Sequence, residues 1–254
     1  MTSEPAAVSP WLVMATLVVT LLLLLWVTRW VTLHLQMLGM RWLNDPDVVL
    51  WIYFALILPG VVLHELSHWL MARLLGVPAS LPALGPEKGG SRRGGKVTLG
   101  SVQTAKVDPL RSSLIGLAPL LAGTTVIFLI GTHVLSVDEL TGQGLAGFLA
   151  GLGDLLRVPD IWLWLYLIFA VSNAMLPSES DMQAVRPVLI FLGIVTAVAL
   201  IVVGLPNVPP AIVTGVGAFA AYLASAFTLT LAVDAVFMLV IGLLGLLTNL
   251  LKPL

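Results

Sequence analysis

From Pro187 to Val233 the chain runs for 47 residues without a single Asp, Glu, Lys, Arg or His. A soluble fold of ordinary size cannot hide so long an uncharged stretch, whereas a bilayer asks for about 20 apolar residues per helical span. The remainder of the sequence agrees. Of 254 residues, 59% are hydrophobic and 10% charged, where soluble domains carry about 25% charged residues. Twelve basic against 13 acidic residues leave a net charge of −1, which excludes a disordered, self-repelling chain and offers no basic field to nucleic acid. With no cysteine present, disulfides and thiolate ligands are out of reach, so any metal must be held by His, Asp or Glu.

Further uncharged runs mark the other spans. Pro10–Thr28 is Leu-rich and ends at Arg29; the first ten residues of the chain hold Glu4 and no Lys or Arg, so the basic region of a cleavable signal is missing and the segment is expected to be retained. Val48–Ala72 is apolar apart from His64-Glu65-Leu66-Ser67-His68, and Ser112–Val137 and Ile161–Leu176 give a third and fourth span. Pro206, Pro209 and Pro210 are expected to split the 47-residue run into two helices. Asp234 then separates the second of these from a last run, Ala235–Leu251, and is read as a turn residue, since one helix from Pro210 to Leu251 would far exceed a core of about 30 Å. The alternative is an intramembrane carboxylate. The expected fold is an all-α polytopic membrane protein of six or seven transmembrane helices.

Two connections carry opposite charge. Gly76–Leu110 holds Lys88, Arg92, Arg93, Lys96 and Lys106 against Glu87 and Asp108, while Asp138–Asp160 holds four acidic residues against Arg157. The positive-inside rule places the first in the cytoplasm, and alternation places the second outside, although Arg29 and Arg41 then fall outside as well. Within the basic connection, Gly85–Gly95 reads as a Gly-rich turn region, and Val97–Thr104 has the β-branched content of a strand. A short membrane-associated β-hairpin between the second and third spans is expected.

The chemistry is concentrated in His64-Glu65-Leu66-Ser67-His68, an HExxH motif. On a helix the two imidazoles lie one turn apart on one face and can reach a single metal, with Glu65 beside it. Four His and five Glu in a chain of this length yield the pattern by chance about once in a thousand shuffles. Ionisable groups inside a span cost about 2.5–3.5 kcal/mol each on insertion scales and are usually kept for function. Two nitrogens and a water position suit one Zn²⁺ per chain, with Glu65 as the base that takes a proton from the attacking water. His34 and His133 lie at the ends of spans and read as interfacial residues. A third protein ligand must come from another span. Asp181 stands out, because Pro177, Ser178 and Ser180 break the helix ahead of it on the side where His68 lies; Glu179 is the rival in the same stretch.

HExxH in an early span, a basic Gly-rich segment with strand character, a span opening with Gly116-Leu117-Ala118-Pro119, and Asn173 eight residues before Asp181 with Pro177 between them together resemble the site-2 protease family of intramembrane zinc metallopeptidases. The resemblance covers residues 48–187. It implies that Asp181 is the third zinc ligand, that Asn173 positions substrate or stabilises the developing oxyanion, and that the strand near Val97–Thr104 pairs with an unwound substrate. Met182 stands where the family has Gly. The chain accordingly divides into an N-terminal helix and connection (1–47), a catalytic core (48–187) and C-terminal helices (188–254).

The expected function is hydrolysis of peptide bonds in or near the transmembrane segments of other membrane proteins. The site would lie near the cytoplasmic face of a cell membrane. The partners are then a transmembrane substrate and the lipid bilayer. A protease-like scaffold without proteolysis is the alternative, and a metal-ion carrier the least favoured reading, for want of a second His pair and further intramembrane carboxylates.

Overall fold

The computed structural model describes residues 10–88, 97–136, 157–203 and 209–251. It comprises α1 (Pro10–Leu43), α2 (Pro46–Leu74), β1 (Ala83–Lys88), β2 (Val97–Ser101), α3 (Pro109–His133), α4 (Ile161–Met175), α5 (Glu179–Val203) and α6 (Pro210–Leu251). Four helices, α1, α2, α3 and α6, are long and apolar enough to cross a membrane, and the pair α4–α5, bent by 64° at a short break, makes a fifth candidate. The protein is therefore a helical membrane protein with a small sheet, and the described residues hold four or five candidate spans.

α2 and α3 start alike. Asp45-Pro46 opens α2, with the Asp45 carboxylate accepting from the backbone N–H groups of Asp47 (2.9 Å) and Val48 (3.2 Å). Asp108-Pro109 opens α3, with Asp108 accepting from Arg111 N–H at 3.0 Å. In both, the side chain satisfies an orphan donor of the first turn, and proline occupies the position where a missing N–H costs nothing.

α3 is the central helix, half buried against its neighbours. It packs on α2, α4, α5 and α6, while α2 lies against α4 and α1 runs along α6. α1 and α6 run in the same direction, since Arg41 and Trp42 near the end of one hydrogen-bond Asn249 and Thr248 near the end of the other. The main core gathers Leu24, Val31, Ile127, Ile168, Phe169 and Phe227. α2 and α4 meet backbone to backbone at Gly60, where a Cβ would lie 2.0 Å from the Ala170 carbonyl oxygen. Only glycine permits that approach.

Three expectations need correction. α1 does not stop at Thr28 but continues through an exposed Arg29 to Leu43, so His34 lies within the helix, stacked on Trp30. Asp234 is no turn. It is fully buried in the middle of the unbroken α6, and Ser172 Oγ of α4 donates to its Oδ1 at 3.1 Å, so the helix has no need to break and carry the group to water. At 1.5 Å per residue α6 is about 63 Å long, twice a bilayer core. Finally, Gly85–Lys88 belong to β1 rather than to a turn; Gly85 (φ 139°) and Pro86 sit at a register shift between Leu84 and Glu87, which is where a strand tolerates both residues. Residues 89–96 of the Gly-rich region, most of the acidic outer stretch and the Pro206 break lie outside the described residues.

The hairpin exists as β1 paired antiparallel with β2, Ala83 opposite Ser101 and Lys88 opposite Val97. An isolated bridge between Ala79 and Thr104 extends the pairing, with Ser80 N–H donating to Gln103 O at 2.9 Å. Both strands pack against α2.

Candidate metal centre

His64 and His68 lie one turn apart on α2, and both rings are oriented from behind. His64 Nδ1 is 2.7 Å from the Ala174 carbonyl oxygen of α4, and His68 Nδ1 is 2.8 Å from the Ile115 carbonyl oxygen of α3. A carbonyl can only accept, so each Nδ1 carries the hydrogen and each neutral ring turns a bare Nε2 to the front. The two Nε2 atoms are 3.1 Å apart.

Asp181 comes to the same point from the first turn of α5. Its Oδ1 is 3.3 Å from His68 Nε2 and its Oδ2 is 3.7 Å from His64 Nε2. A reciprocal cap holds it there. Ser178 N–H and Oγ–H donate to Asp181 Oδ2 at 2.8 and 2.6 Å, and Asp181 N–H donates to Ser178 Oγ at 3.3 Å. This is the capping-box arrangement with Asp in place of Glu, and it leaves Oδ1 directed at His68. The sequence signal for this cap is Ser178-x-x-Asp181. Glu179, the rival ligand, is exposed on the same turn; two residues earlier on a helix, it points about 200° away.

His64, His68 and Asp181 each offer one ligand atom within 4.8 Å of the others. Four tetrahedral ligands at about 2.0–2.1 Å from zinc are separated from one another by roughly 3.3 Å. The observed separations of 3.1 Å between the two Nε2 atoms and 3.3 Å from His68 Nε2 to Asp181 Oδ1 fit that set, and the other carboxylate oxygen, Oδ2, lies 3.7 Å from His64 Nε2. Two nitrogen lone pairs and a carboxylate facing one another without a cation would repel, so the arrangement itself calls for positive charge at its centre.

Glu65 is buried beside this cluster, beneath β2. A Cβ on Gly100 would lie 2.7 Å from Glu65 Cγ and 2.8 Å from its Oε1, so the strand crosses directly over the carboxylate. A cavity of about 500 Å³ opens here, lined by Tyr53, Ile57 and Val61 on its apolar side, by Leu99 and Gly100 of the strand, and by the two histidines, Glu65, Asn173 and Asp181. Asn173 is thus at the site, but its Nδ2 donates to the Phe169 carbonyl of its own helix (2.9 Å) and to Ser172 Oγ (3.3 Å), while its buried Oδ1 has no partner. His133 is exposed at the end of α3 and, like His34, takes no part. Neither the two orienting carbonyls nor Gly100 was legible as a site feature in the sequence, since main-chain groups carry no letter of their own. No family model, curated protein or solved structure matches this chain.

Proposed function

We propose that the protein is an intramembrane zinc metallopeptidase, similar in its chemistry to the site-2 proteases, which hydrolyses peptide bonds in or near the transmembrane segments of other membrane proteins. The observation that carries this reading is the convergence of two bare Nε2 atoms and a capped carboxylate on one point, with an acid–base group, Glu65, beside it under an open strand.

His64, His68 and Asp181 would hold one zinc ion. When bound, zinc acts as a Lewis acid that brings the pKa of water towards neutrality and polarises a carbonyl. Glu65 accepts the proton of the attacking water and returns it to the leaving amine. The carbonyls of Ile115 and Ala174 keep the imidazoles in one tautomer, so neither ring needs to reorient during turnover. The strand above Glu65 offers main-chain hydrogen bonds to an extended peptide, and the apolar wall of Tyr53, Ile57 and Val61 receives its side chains. Asn173 is assigned to the cavity wall and to substrate positioning. The charge bias of the loops supports a site near the cytoplasmic face, with the cell membrane as the expected location. A scaffold without proteolysis would leave Glu65 without a task.

The test is co-expression of single-span substrates with wild type and with Glu65→Gln, together with zinc analysis of the purified proteins. Wild type is expected to shorten a substrate and to hold one zinc. Glu65→Gln is expected to keep the zinc and lose turnover by 10²-fold or more, and His64→Ala to lose both. A wild type that binds no zinc would overturn the reading.

A further inference from the structure

Both orienting carbonyls are free for reasons that lie in the backbone. The usual helical partner of Ala174 O is the N–H of residue 178, and Ser178 N–H is donated instead to Asp181 Oδ2 at 2.8 Å, because α4 ends at Met175. The usual partner of Ile115 O is the N–H of residue 119. That residue is Pro119, inside α3, with no N–H to give. Ile115 is buried, and with no helical N–H to accept from, its carbonyl takes His68 Nδ1–H, 2.8 Å away, as its donor. The pyrrolidine ring also presses on the carbonyl one turn back and tilts it off the helix axis, as an outside donor requires.

We infer that Pro119 is a positioning residue of the metal centre: by withholding a backbone N–H it reserves the Ile115 carbonyl for His68 and thereby fixes which nitrogen of that ring faces the ligand cluster. The inference rests on the zinc reading above and deepens it. A proline kept for helix shape alone would act through its ring, whereas this role depends on the absent N–H, and the two can be separated chemically.

Three full-length proteins are compared in detergent: wild type, Pro119→Ala, and a variant carrying the same alanine side chain at 119 through a backbone ester, which restores neither the ring nor an N–H. Zinc affinity is read by competition with a chromophoric chelator. Pro119→Ala, which returns an N–H to compete for Ile115 O, is expected to bind zinc about 10–100-fold more weakly, the usual effect of losing an orienting partner. The ester variant is expected to bind like wild type. Equal weakening in both variants would assign the role to the ring, and wild-type affinity in both would show that the N–H is irrelevant; either result overturns the inference. A second readout needs no metal. In ¹⁵N-histidine spectra of the zinc-free proteins, the His68 Nδ1–H signal should be protected from exchange in wild type and ester but not in Pro119→Ala, and equal protection in all three would also overturn it. Failure of the zinc reading is seen separately, as a wild type without zinc.

Discussion

At the scale of single residues, the site depends on where lone pairs and protons are held. His64 and His68 can serve as ligands because a carbonyl behind each ring takes the Nδ1 hydrogen, and Asp181 because Ser178 occupies one of its oxygens and leaves the other. Glu65 has a different constraint, a strand lying on it. Gly100→Ala puts a methyl within 3 Å of the carboxylate, and the flexible Glu65 side chain is what gives way. The expected result is wild-type zinc content and thermal midpoint with turnover down about 10²-fold, the cost of a displacement near 1 Å at a reacting group. Zinc analysis and substrate cleavage on the same preparation check it.

At the scale of elements, the break between α4 and α5 does three jobs. It ends α4 so that Ala174 O is free, it starts α5 with a Ser178 cap, and it turns the chain by 64° so that Asp181 meets α2. Ser178→Ala removes the cap and releases Asp181 Oδ2. The expected cost is about 1 kcal/mol in stability, as for other N-caps, with zinc affinity lowered roughly 10-fold as for other second-layer partners; chelator competition and thermal melting separate the two effects. The contact between α4 and α6 is the other element-level feature. Asp234, buried against Ser172, should tolerate Asp234→Asn within about 1 kcal/mol, because the amide retains a partner in Ser172. Asp234→Lys should cost about 3 kcal/mol or more, as an unpaired buried charge does. Thermal melts in detergent decide it, since a turn residue at the surface would accept lysine without loss.

For the whole molecule, a bound zinc would tie together helices that, among the described residues, are joined by apolar packing and a few hydrogen bonds. The candidate ligands come from α2 and α5 and their orienting groups from α3 and α4, so a metal held there would clamp four helices together. Zinc at 100 times its dissociation constant stabilises the folded state by about 2.7 kcal/mol. A strong chelator is therefore expected to lower the thermal midpoint of wild type and of Glu65→Gln alike, and added zinc to restore both, while His64→Ala should respond to neither. The long exposed apolar faces of α1, α5 and α6, which no described residue covers, are the surface expected of a lipid-embedded chain.

The sequence by itself determined the membrane character, the apolar cores of the helices, a hairpin before α3, and the HExxH pair with Asp181 as first choice for its partner. These are local properties: an uncharged run is a span wherever it lies, and His64 and His68 share a face through helical pitch alone. The tertiary structure decided what depends on neighbours. Asp234 reads as a turn only while Ser172 is unseen, because a buried carboxylate is costly until another helix supplies a donor. Asp181 rather than Glu179 reaches the histidines because α5 presents one side of its first turn to α2. Ala174 orients His64 from 110 residues away, and no period in the sequence connects groups so far apart, since their contact is a product of how helices with glycine and proline at chosen points pack together.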